Sequence, residues 1–481
     1  MEDDDYEEFG FKSGLEIHQQ LDTRKLFCNC PSILRVDEPD FEIKRKLHAV
    51  AGEAGEVDIA AKHEAEQLKE FIYQGYEKST CLVELDEEPP HEINKEALKI
   101  AISIALLLNC DVLPISQIMR KTVIDGSNTS GFQRTVMIAQ NGFIETSLGK
   151  VGIDGIYLEE DSARIIGKEL DKYIYRIDRL GIPLVEIATK PDLKNARHVK
   201  ETALKIGELL RSCKVKRGIG TIRQDVNISI KGSNRVEIKG FQDPKIMEKC
   251  IELEVLRQQN FLDKKQKNPS EVRNCLPDGT TEFLRPMPGK SRMYPETDVP
   301  LLKISRSFID DVKKVLPKLR DEIKEELQAK GLNEEMIKLL LKERKVDEFK
   351  ELLKIIDNPK LIVKVLLLFP KEIATKENKK IEKIEKILED NYNTVLELFA
   401  KNKILESDIK ECLTRIVRNE KIDDLLISKR VEDNNLEEKI MNLIKEKPGL
   451  SENAYMGLIM RDFKGQINAK NVMDLIKKYL K

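Results

Sequence analysis

Alternating apolar and polar positions dominate the first 300 residues of the chain and predict β-strands there. Within residues 11–18, Leu15 and Ile17 alternate with Glu16 and His18, which is the period-2 pattern of a strand with one buried face. Residues 132–140 and 143–147 lie on either side of Asn141-Gly142, a dipeptide typical of tight turns, which predicts a hairpin that turns at this dipeptide. Further strands are predicted at residues 151–159, 172–179, 221–230 and 235–239, the last two forming a second hairpin.

Helical spacing of apolar residues appears in three segments of this part and throughout the rest of the chain. Helices are predicted at residues 94–108, 199–213 and 246–260, and from residue 305 onward. The Pro- and Gly-rich stretch 276–300 is predicted to be a long loop. The fold class is therefore predicted as α+β: a β-rich domain at 1–302, a helical domain at 303–378 and a small helical domain at 379–481.

Composition narrows the class of protein. The chain has 481 residues, of which 35% are charged and 40% hydrophobic, and it has no Trp and 5% aromatic residues. A platform of aromatic side chains that stack on bases is therefore not expected. The acidic start, the lack of an apolar stretch of about 20 residues and only eight Cys predict a cytoplasmic protein with no membrane segment.

Charge is divided unevenly along the chain. The net charge of −2 shows no overall basic field. Residues 1–300, however, hold 44 Lys and Arg against 51 Asp and Glu, whereas residues 301–481 hold 39 against 34. Residues 1–300 are therefore acidic overall, and the helical residues 301–481 are basic overall.

Several predicted strands carry a row of polar residues on one face, because residues i and i+2 of a strand point to the same side. A solvent-exposed sheet face would explain any single row. Repetition over several strands favours a concave polar basin instead. The rows are Glu16, His18 and Gln20; Arg223, Asp225 and Asn227; and Glu237 with Lys239.

Carboxylates cluster at the ends of two further predicted strands, at Glu159-Glu160-Asp161 and at Glu186. Together with one His they suit a hard cation such as Mg²⁺, which bridges phosphate oxygens in nucleotide chemistry. Pairing of these carboxylates with Arg164, Arg176 and Arg179 is the alternative, and spacing alone leaves both open.

Two arginines, Arg285 and Arg292, lie in the Pro-rich stretch and make it a stiff cationic segment suited to phosphate or carboxylate recognition. The alternative is an ordinary linker into the helical part. The sequence has neither a Gly-x-x-x-x-Gly-Lys-[Ser/Thr] nor a Gly-x-Gly-x-x-Gly motif. Any nucleotide must therefore be held by side chains and metal.

Three cysteines suggest a zinc site: Cys28, Cys30 and Cys81. A structural zinc site usually has four ligands in two close pairs. Only one pair is visible, and His91 is the nearest candidate for a fourth ligand. Zinc is therefore considered unlikely, and the site incomplete.

Taken together, these motifs closely resemble the GatB/GatE family, and within it the archaeal GatE branch. The resemblance runs from about residue 11 to the end and is most specific in the first 300 residues. It is carried by Gly14–Asp22, Thr80–Glu84, Asp86–His91, Val123–Thr129, Leu158–Asp161, Asp178–Glu186, Gly220–Asn227 and Arg292–Pro300, with a weaker match at 456–465.

The resemblance implies a kinase-like amidotransferase cradle followed by helical and YqeY-like tail domains that bind tRNA. It also implies an ATP- and Mg²⁺-dependent conversion of Glu-tRNA(Gln) to Gln-tRNA(Gln) through a γ-phosphoryl glutamyl intermediate. Ammonia would come from a GatD-type asparaginase-like amidase, with which the chain is expected to form a heterotetramer. A non-catalytic tRNA-binding scaffold and a GatB-type member of an Asp/Glu-tRNA amidotransferase are the alternatives.

The resemblance also assigns roles to residues of the polar rows. The metal ligands would be His18, Glu186 and Glu159 or Glu160, and Glu16 would be their catalytic neighbour. Nucleotide and substrate contacts would come from Arg223, Asp225, Asn227, Lys239, Arg285 and Arg292. One departure is visible: only about fifteen polar residues separate the helix at 246–260 from Leu276-Pro-Asp-Gly279, where GatE relatives carry an aspartyl-tRNA-synthetase-like insertion. Part of the tRNA contact is therefore expected to differ.

Overall fold

A computed structural model describes residues 1–51, 55–66, 69–169, 172–241, 244–289, 292–343, 345–420, 433–462 and 469–480. The chain divides into two compact units, Met1–Arg320 and Asp321–Lys481. All described strands belong to the first unit, and the second unit is helical throughout its described elements. The predicted α+β class is confirmed. Among the described residues, no helix combines the length and apolar character needed to cross a membrane.

The first unit contains six helices and seventeen strands among its described residues. In chain order they are α1 (Asp3–Glu8), β1 (Lys12–Gln20), β2 (Phe41–Arg45), α2 (Ile59–Ala65), β3 (Glu70–Gly75), α3 (Lys95–Leu107), β4 (Asp111–Val112), β5 (Ile115–Ser116), β6 (Met119–Thr122), β7 (Phe132–Thr146), β8 (Gly149–Glu160), β9 (Arg164–Lys168), β10 (Lys172–Arg176), β11 (Pro183–Thr189), α4 (Ala196–Ser212), β12 (Ile222–Ser229), β13 (Val236–Phe241), α5 (Pro244–Asp263), β14 (Glu271–Cys275), β15 (Thr281–Pro286), β16 (Met293–Pro295), β17 (Leu302–Lys303) and α6 (Arg306–Lys314).

Helices alone follow in the remaining described residues, the first of them starting at the boundary between the units. They are α7 (Arg320–Ala329), α8 (Glu334–Glu343), α9 (Val346–Leu353), α10 (Pro359–Val363), a π-helical turn (Lys364–Leu368), α11 (Phe369–Glu377), α12 (Ile381–Glu389), α13 (Tyr392–Ala400), α14 (Glu406–Val417), α15 (Asp433–Glu446), α16 (Glu452–Asp462) and α17 (Ala469–Leu480).

One large sheet organises the first unit. Its strand order is β15-β14-β13-β12-β1-β11-β8-β7-β6-β16, with β4 added beside β7. All pairs are antiparallel except β13 with β14. One face of this sheet carries the apolar half of each alternating strand, including Leu15 and Ile17 of β1, and buries it with residues of α3, α4 and α5 in a single core. The polar half of the same strands therefore lies on the opposite face.

The predicted hairpin at Asn141-Gly142 is wrong. Strand β7 runs straight through this dipeptide and turns only before Gly149, where β8 begins. Asn141 does adopt the left-handed conformation, with φ of 56°. A Cβ on Gly142 would lie 2.2 Å from Cys110 Sγ and 2.5 Å from the Leu108 carbonyl oxygen. The glycine is therefore required by the close approach of the end of α3, and not by a chain reversal.

The predicted loop at 276–300 is also partly wrong, because it contains β15 and β16. These are the two edge strands of the large sheet. Proline is tolerated at a sheet edge, where one side of the backbone needs no partner. A Pro-rich stretch can therefore complete both edges, although its composition suggests a loop.

Hydrophobic residues near the predicted domain boundaries pack as follows. Helix α6, beyond residue 303, places Val312 in the core of the first unit. The second unit has two separate cores among its described residues, one built from residues 327–417 and the other from residues 436–476. The division at 302/303 and 378/379 stays a prediction.

Candidate active site

Strand β1 lies at the centre of the polar face and brings three polar rows together. It pairs with β12 on one side and with β11 on the other. Glu16 is opposite Asp225, and His18 is opposite both Arg223 and Glu186. Directly paired residues of neighbouring strands point to the same side of the sheet. The register thus assembles residues that are distant in sequence into one surface.

His18, Glu159 and Glu186 form the most compact group on this surface. His18 Nε2 lies 3.2 Å from Glu186 Oε2 and 3.7 Å from Glu159 Oε1. One donor atom from each residue lies within 4.8 Å of the other two. Lys121 of β6 reaches the same group, with Nζ 2.9 Å from Glu159 Oε2 and 3.5 Å from Glu186 Oε2.

Electrostatics favour an ionised Glu186 within this group. Burial alone would lower the pKa of His18, but the hydrogen bond and charge of Glu186 raise it above its usual value. Burial would raise the pKa of Glu186, but the Lys121 ammonium and the bond to His18 hold it well below its usual range. A charged carboxylate held in place beside an imidazole is a preformed ligand set for a divalent cation.

A second acidic group adjoins the first along β1. Glu16, Asp225 and Glu237 also bring one oxygen each within 4.8 Å of one another. Lys239 neutralises part of this charge, with Nζ 2.6 Å from Asp225 Oδ2 and 2.5 Å from Glu237 Oε1. Burial raises the pKa of Glu16, and the charge of Glu237 adds to that effect.

Both acidic groups open into one cavity of about 820 Å³. Its wall also holds Arg223, Arg235, Arg285 and Arg292. Arg223 is paired with Asp161 at 2.7 Å, and Arg292 Nε donates to the Thr122 carbonyl at 3.0 Å. A cavity of this size, lined by both carboxylates and guanidinium groups, fits a metal–phosphate ligand with an attached organic group.

Nearly all predicted site residues line this cavity, and the structure separates two of them from it. Glu160 follows Glu159 on β8 and therefore points to the other face of the sheet, where it pairs with Arg134 at 3.3 Å. Asn227 touches the cavity only indirectly, because its Nδ2 donates to Glu16 Oε1 at 2.9 Å. The predicted residues that line the cavity are Glu16, His18, Glu159, Glu186, Arg223, Asp225, Lys239, Arg285 and Arg292.

Several charged lining residues lie outside the set predicted from the sequence, among them Arg235, Glu237 and Lys121. Glu237 belongs to a visible polar row, of which the resemblance gives a role to Lys239 alone. Lys121 has no local signal, because β6 has four residues and shows no readable alternation. Lys121 reaches the acidic group only because the folded sheet has the strand order β11-β8-β7-β6.

The cysteine prediction changes in one respect. Cys28, Cys30 and Cys81 lie together, and Glu84 completes the group with all four ligand atoms within 4.8 Å of one another. Cys28-x-Cys30 and Cys81-x-x-Glu84 are two close pairs, the arrangement that zinc sites use. His91 does not take part, because its ring pairs with Glu88 at 3.1 Å. The group therefore does not lack a fourth candidate ligand.

Comparison with known proteins places this geometry in a family. The GatB/GatE catalytic domain model matches residues 11–310. The chain is 38% identical to the E subunit of glutamyl-tRNA(Gln) amidotransferase from Methanocaldococcus jannaschii, with 99% of each chain covered. It is 41% identical to the protein of the same name in Methanococcus maripaludis strain S2, with 100% of this chain and 99% of the relative covered.

A third relative of that name, from Archaeoglobus fulgidus, is 34% identical, with 99% of each chain covered. The three alignments extend over 629, 632 and 618 positions, more than the 481 residues of this chain. The relatives therefore contain sequence that this chain lacks, as the predicted loss of an insertion requires. The matched catalytic domain spans every strand that lines the cavity, and the chain belongs to the GatB/GatE family.

Proposed function

We propose that this chain is the transamidating component that converts Glu-tRNA(Gln) to Gln-tRNA(Gln) at the expense of ATP. The observation that carries the proposal is the shared cavity. It combines a His-carboxylate group that suits a divalent cation with four arginines that suit phosphate. The names of the relatives supply the substrate, a glutamyl-tRNA, and the reaction class, amide transfer.

Mg²⁺ fits the His-carboxylate group of the cavity. His18, Glu159 and Glu186 would hold it, and they offer one imidazole nitrogen and carboxylate oxygens from a single face of the sheet. When bound, the ion would neutralise charge on transferring phosphate groups. Lys121 already balances these carboxylates in the protein alone, so the two glutamates are held in place before any ligand arrives.

The arginines would hold the phosphates of the nucleotide, as a P-loop does in other nucleotide-binding enzymes. Arg223, Arg285 and Arg292 would bind and orient the phosphate oxygens of ATP, because guanidinium groups match them in geometry and charge. Arg223 is held by Asp161, and Arg292 by the backbone of β6. Their positions are therefore set by the sheet and not by the ligand.

The reaction would proceed in two steps, phosphorylation and then amide formation. An oxygen of the glutamyl γ-carboxylate attacks the γ-phosphorus of ATP, and ADP leaves. The nitrogen of ammonia then attacks the activated carbonyl carbon, phosphate leaves and a proton is lost as the amide forms. Phosphorylation is needed because a carboxylate oxygen is a poor leaving group, whereas phosphate is a good one.

Ammonia and tRNA would come from outside the cavity domain. An asparaginase-like amidase of the GatD type is the proposed ammonia source, and a heterotetramer is the proposed assembly, because each relative is named as one component of a larger amidotransferase. The second unit lies within the basic part of the sequence, where 39 Lys and Arg face 34 Asp and Glu. We assign tRNA backbone contacts to it, since phosphates are bound by cations.

Free ammonia provides the direct test of the catalytic proposal. The protein is incubated with ATP, Mg²⁺, Glu-tRNA(Gln) and an ammonium salt, and the amino acid released from the tRNA is analysed. We expect glutamine, and none when ATP is omitted. Bound tRNA without glutamine would favour a non-catalytic scaffold of the same fold. Size-exclusion chromatography with each candidate amidase then separates a GatD-type partnership from a GatB-type one.

A matched pair of variants tests which neighbouring glutamate holds the cation. Glu159→Gln is expected to raise the dissociation constant for Mn²⁺, used as a spectroscopic substitute, by at least about tenfold. Glu160→Gln is expected to leave it nearly unchanged, because this side chain faces Arg134 on the other side of the sheet. Electron paramagnetic resonance measures the free ion. Equal weakening by both changes would place Glu160 among the ligands.

A further inference from the structure

The chain between α4 and β12 forms a projecting loop beside the cavity, residues 214–221, hereafter the rim loop. Its tip is Gly218-Ile219-Gly220, in which both glycines have positive φ, 129° and 81°. Ile219 is 98% exposed, and a Cβ on either glycine would meet no atom within 4 Å. The tip therefore presents a large apolar side chain to solvent on a backbone that only glycine adopts easily.

The base of the rim loop is firmly attached to the cavity wall. The backbone N–H of Lys216 donates to the Gln20 carbonyl, and the Gln20 N–H donates to the Thr221 carbonyl, both at 2.9 Å. The Gln20 side chain continues to Asp161 Oδ2 at 2.6 Å, and Asp161 lines the cavity. Arg223, which also lines it, follows two residues after Thr221. The tip is thus held at a fixed place on the cavity rim.

Four cations precede this apolar tip in the sequence. Arg211, Lys214, Lys216 and Arg217 fall within seven residues of sequence. Of these, Lys214 is paired with Glu96 at 2.6 Å, and Arg217 Nη2 donates to the Arg211 carbonyl at 2.7 Å. A single exposed isoleucine is ordinary on a protein surface. An exposed isoleucine between two glycines, close in sequence to four cations and on a loop attached to the cavity wall, is a combination that suits a strand of nucleic acid.

A second apolar segment lies against the rim loop. Lys216 Nζ donates to the Ser32 carbonyl, and the residues after Ser32 are exposed to an unusual degree. Ile33 is 55% exposed and Leu34 is 47% exposed. The segment that Lys216 of the rim loop contacts therefore also exposes apolar side chains.

On the basis of the proposed function, we propose that the rim loop receives the single-stranded 3′ end of the tRNA. The glutamyl group is esterified to the terminal ribose, so the last nucleotides must pass the rim for the γ-carboxylate to reach His18. Ile219 packs against a terminal base, and Lys216 and Arg217 contact backbone phosphates. Unpaired bases are recognised through apolar or aromatic contact combined with nearby cations.

The test compares Ile219→Asp with Leu204→Asp. Leu204 is a 45% exposed residue of α4 and serves as the matched control. In the ammonium-dependent reaction, Ile219→Asp is expected to raise the KM for Glu-tRNA(Gln) by about tenfold or more. The KM for ATP is expected to stay unchanged. Ile219→Ala is made in parallel, and its smaller effect in the same direction separates lost packing from added charge.

Binding of tRNA supplies a readout that does not need catalysis. Wild-type protein is expected to bind intact tRNA(Gln) more tightly than tRNA lacking its last three nucleotides, and Ile219→Asp is expected to bind both equally. Unchanged discrimination and unchanged KM would overturn the inference while wild-type activity upholds the proposed function. Loss confined to the amidase-supplied reaction would also overturn it and would assign the rim loop to the amidase. Absence of wild-type product would instead count against the proposed function.

Discussion

Replacing His18 with alanine is expected to reduce the formation of Gln-tRNA by at least about 100-fold, while the affinity for tRNA stays close to that of the wild type. The imidazole contributes a ligand atom and also fixes Glu186 through a 3.2 Å contact. Its loss therefore removes one donor and leaves Glu186 held by Lys121 alone within this group. The side chain is only 15% exposed at the floor of the cavity, so it forms little of any surface that tRNA touches.

Single-turnover rates with ammonium salt and filter binding of tRNA measure the two properties separately. His48→Ala is the control, because His48 is exposed and lies outside the cavity lining. Both properties are expected to match the wild type in that variant. Should His18→Ala lose tRNA binding as strongly as activity, the role of His18 as a metal ligand would be lost, and a structural role would replace it.

His18 also shows how much of the site could be predicted from the sequence. Glu16 and His18 were predictable because strand alternation is local: each residue's face is set by its neighbours two positions away. The pairing of His18 with Glu186, 168 residues later, was not predictable from alternation. It depends on register between strands, which is fixed by the whole buried face of β1 and β11.

Lys121 and Glu84 show why the rest could not be predicted. Lys121 lies on a four-residue strand, and its distance to Glu159 is set by sheet order, which no short-range pattern encodes. Glu84 is one carboxylate among 85 acidic residues, and only the fold brings it to three thiols. Asn141-Gly142 is the converse case. Its local chemistry is that of a turn, but tertiary packing against Cys110 uses it for a close approach instead.

Glu84→Ala is expected to lower the free energy of unfolding of the first unit by about 3–5 kcal/mol. Lys25 has a fully buried side chain, and its Nζ lies 2.9 Å from Glu84 Oε1. Its other close contact is the Ile177 carbonyl at 3.4 Å. Removing Glu84 leaves an ammonium without its counter-charge in a dry interior. Exchange of the slowest backbone amides of β1 measures the change within this unit.

Glu92→Ala, which breaks an exposed pair with Lys95 in the same unit, is the control and is expected to have no measurable effect. The double variant Lys25→Met/Glu84→Leu separates two causes of the loss. If the cost comes from the stranded ammonium, removing both charges restores most of the stability. If it does not, the remaining cost lies in the other bonds of Glu84, which accepts from the Cys81 backbone N–H at 2.7 Å and from Cys28 Sγ at 2.9 Å. Metal analysis of the purified wild-type protein then tests whether the group of three thiols and Glu84 also holds an ion.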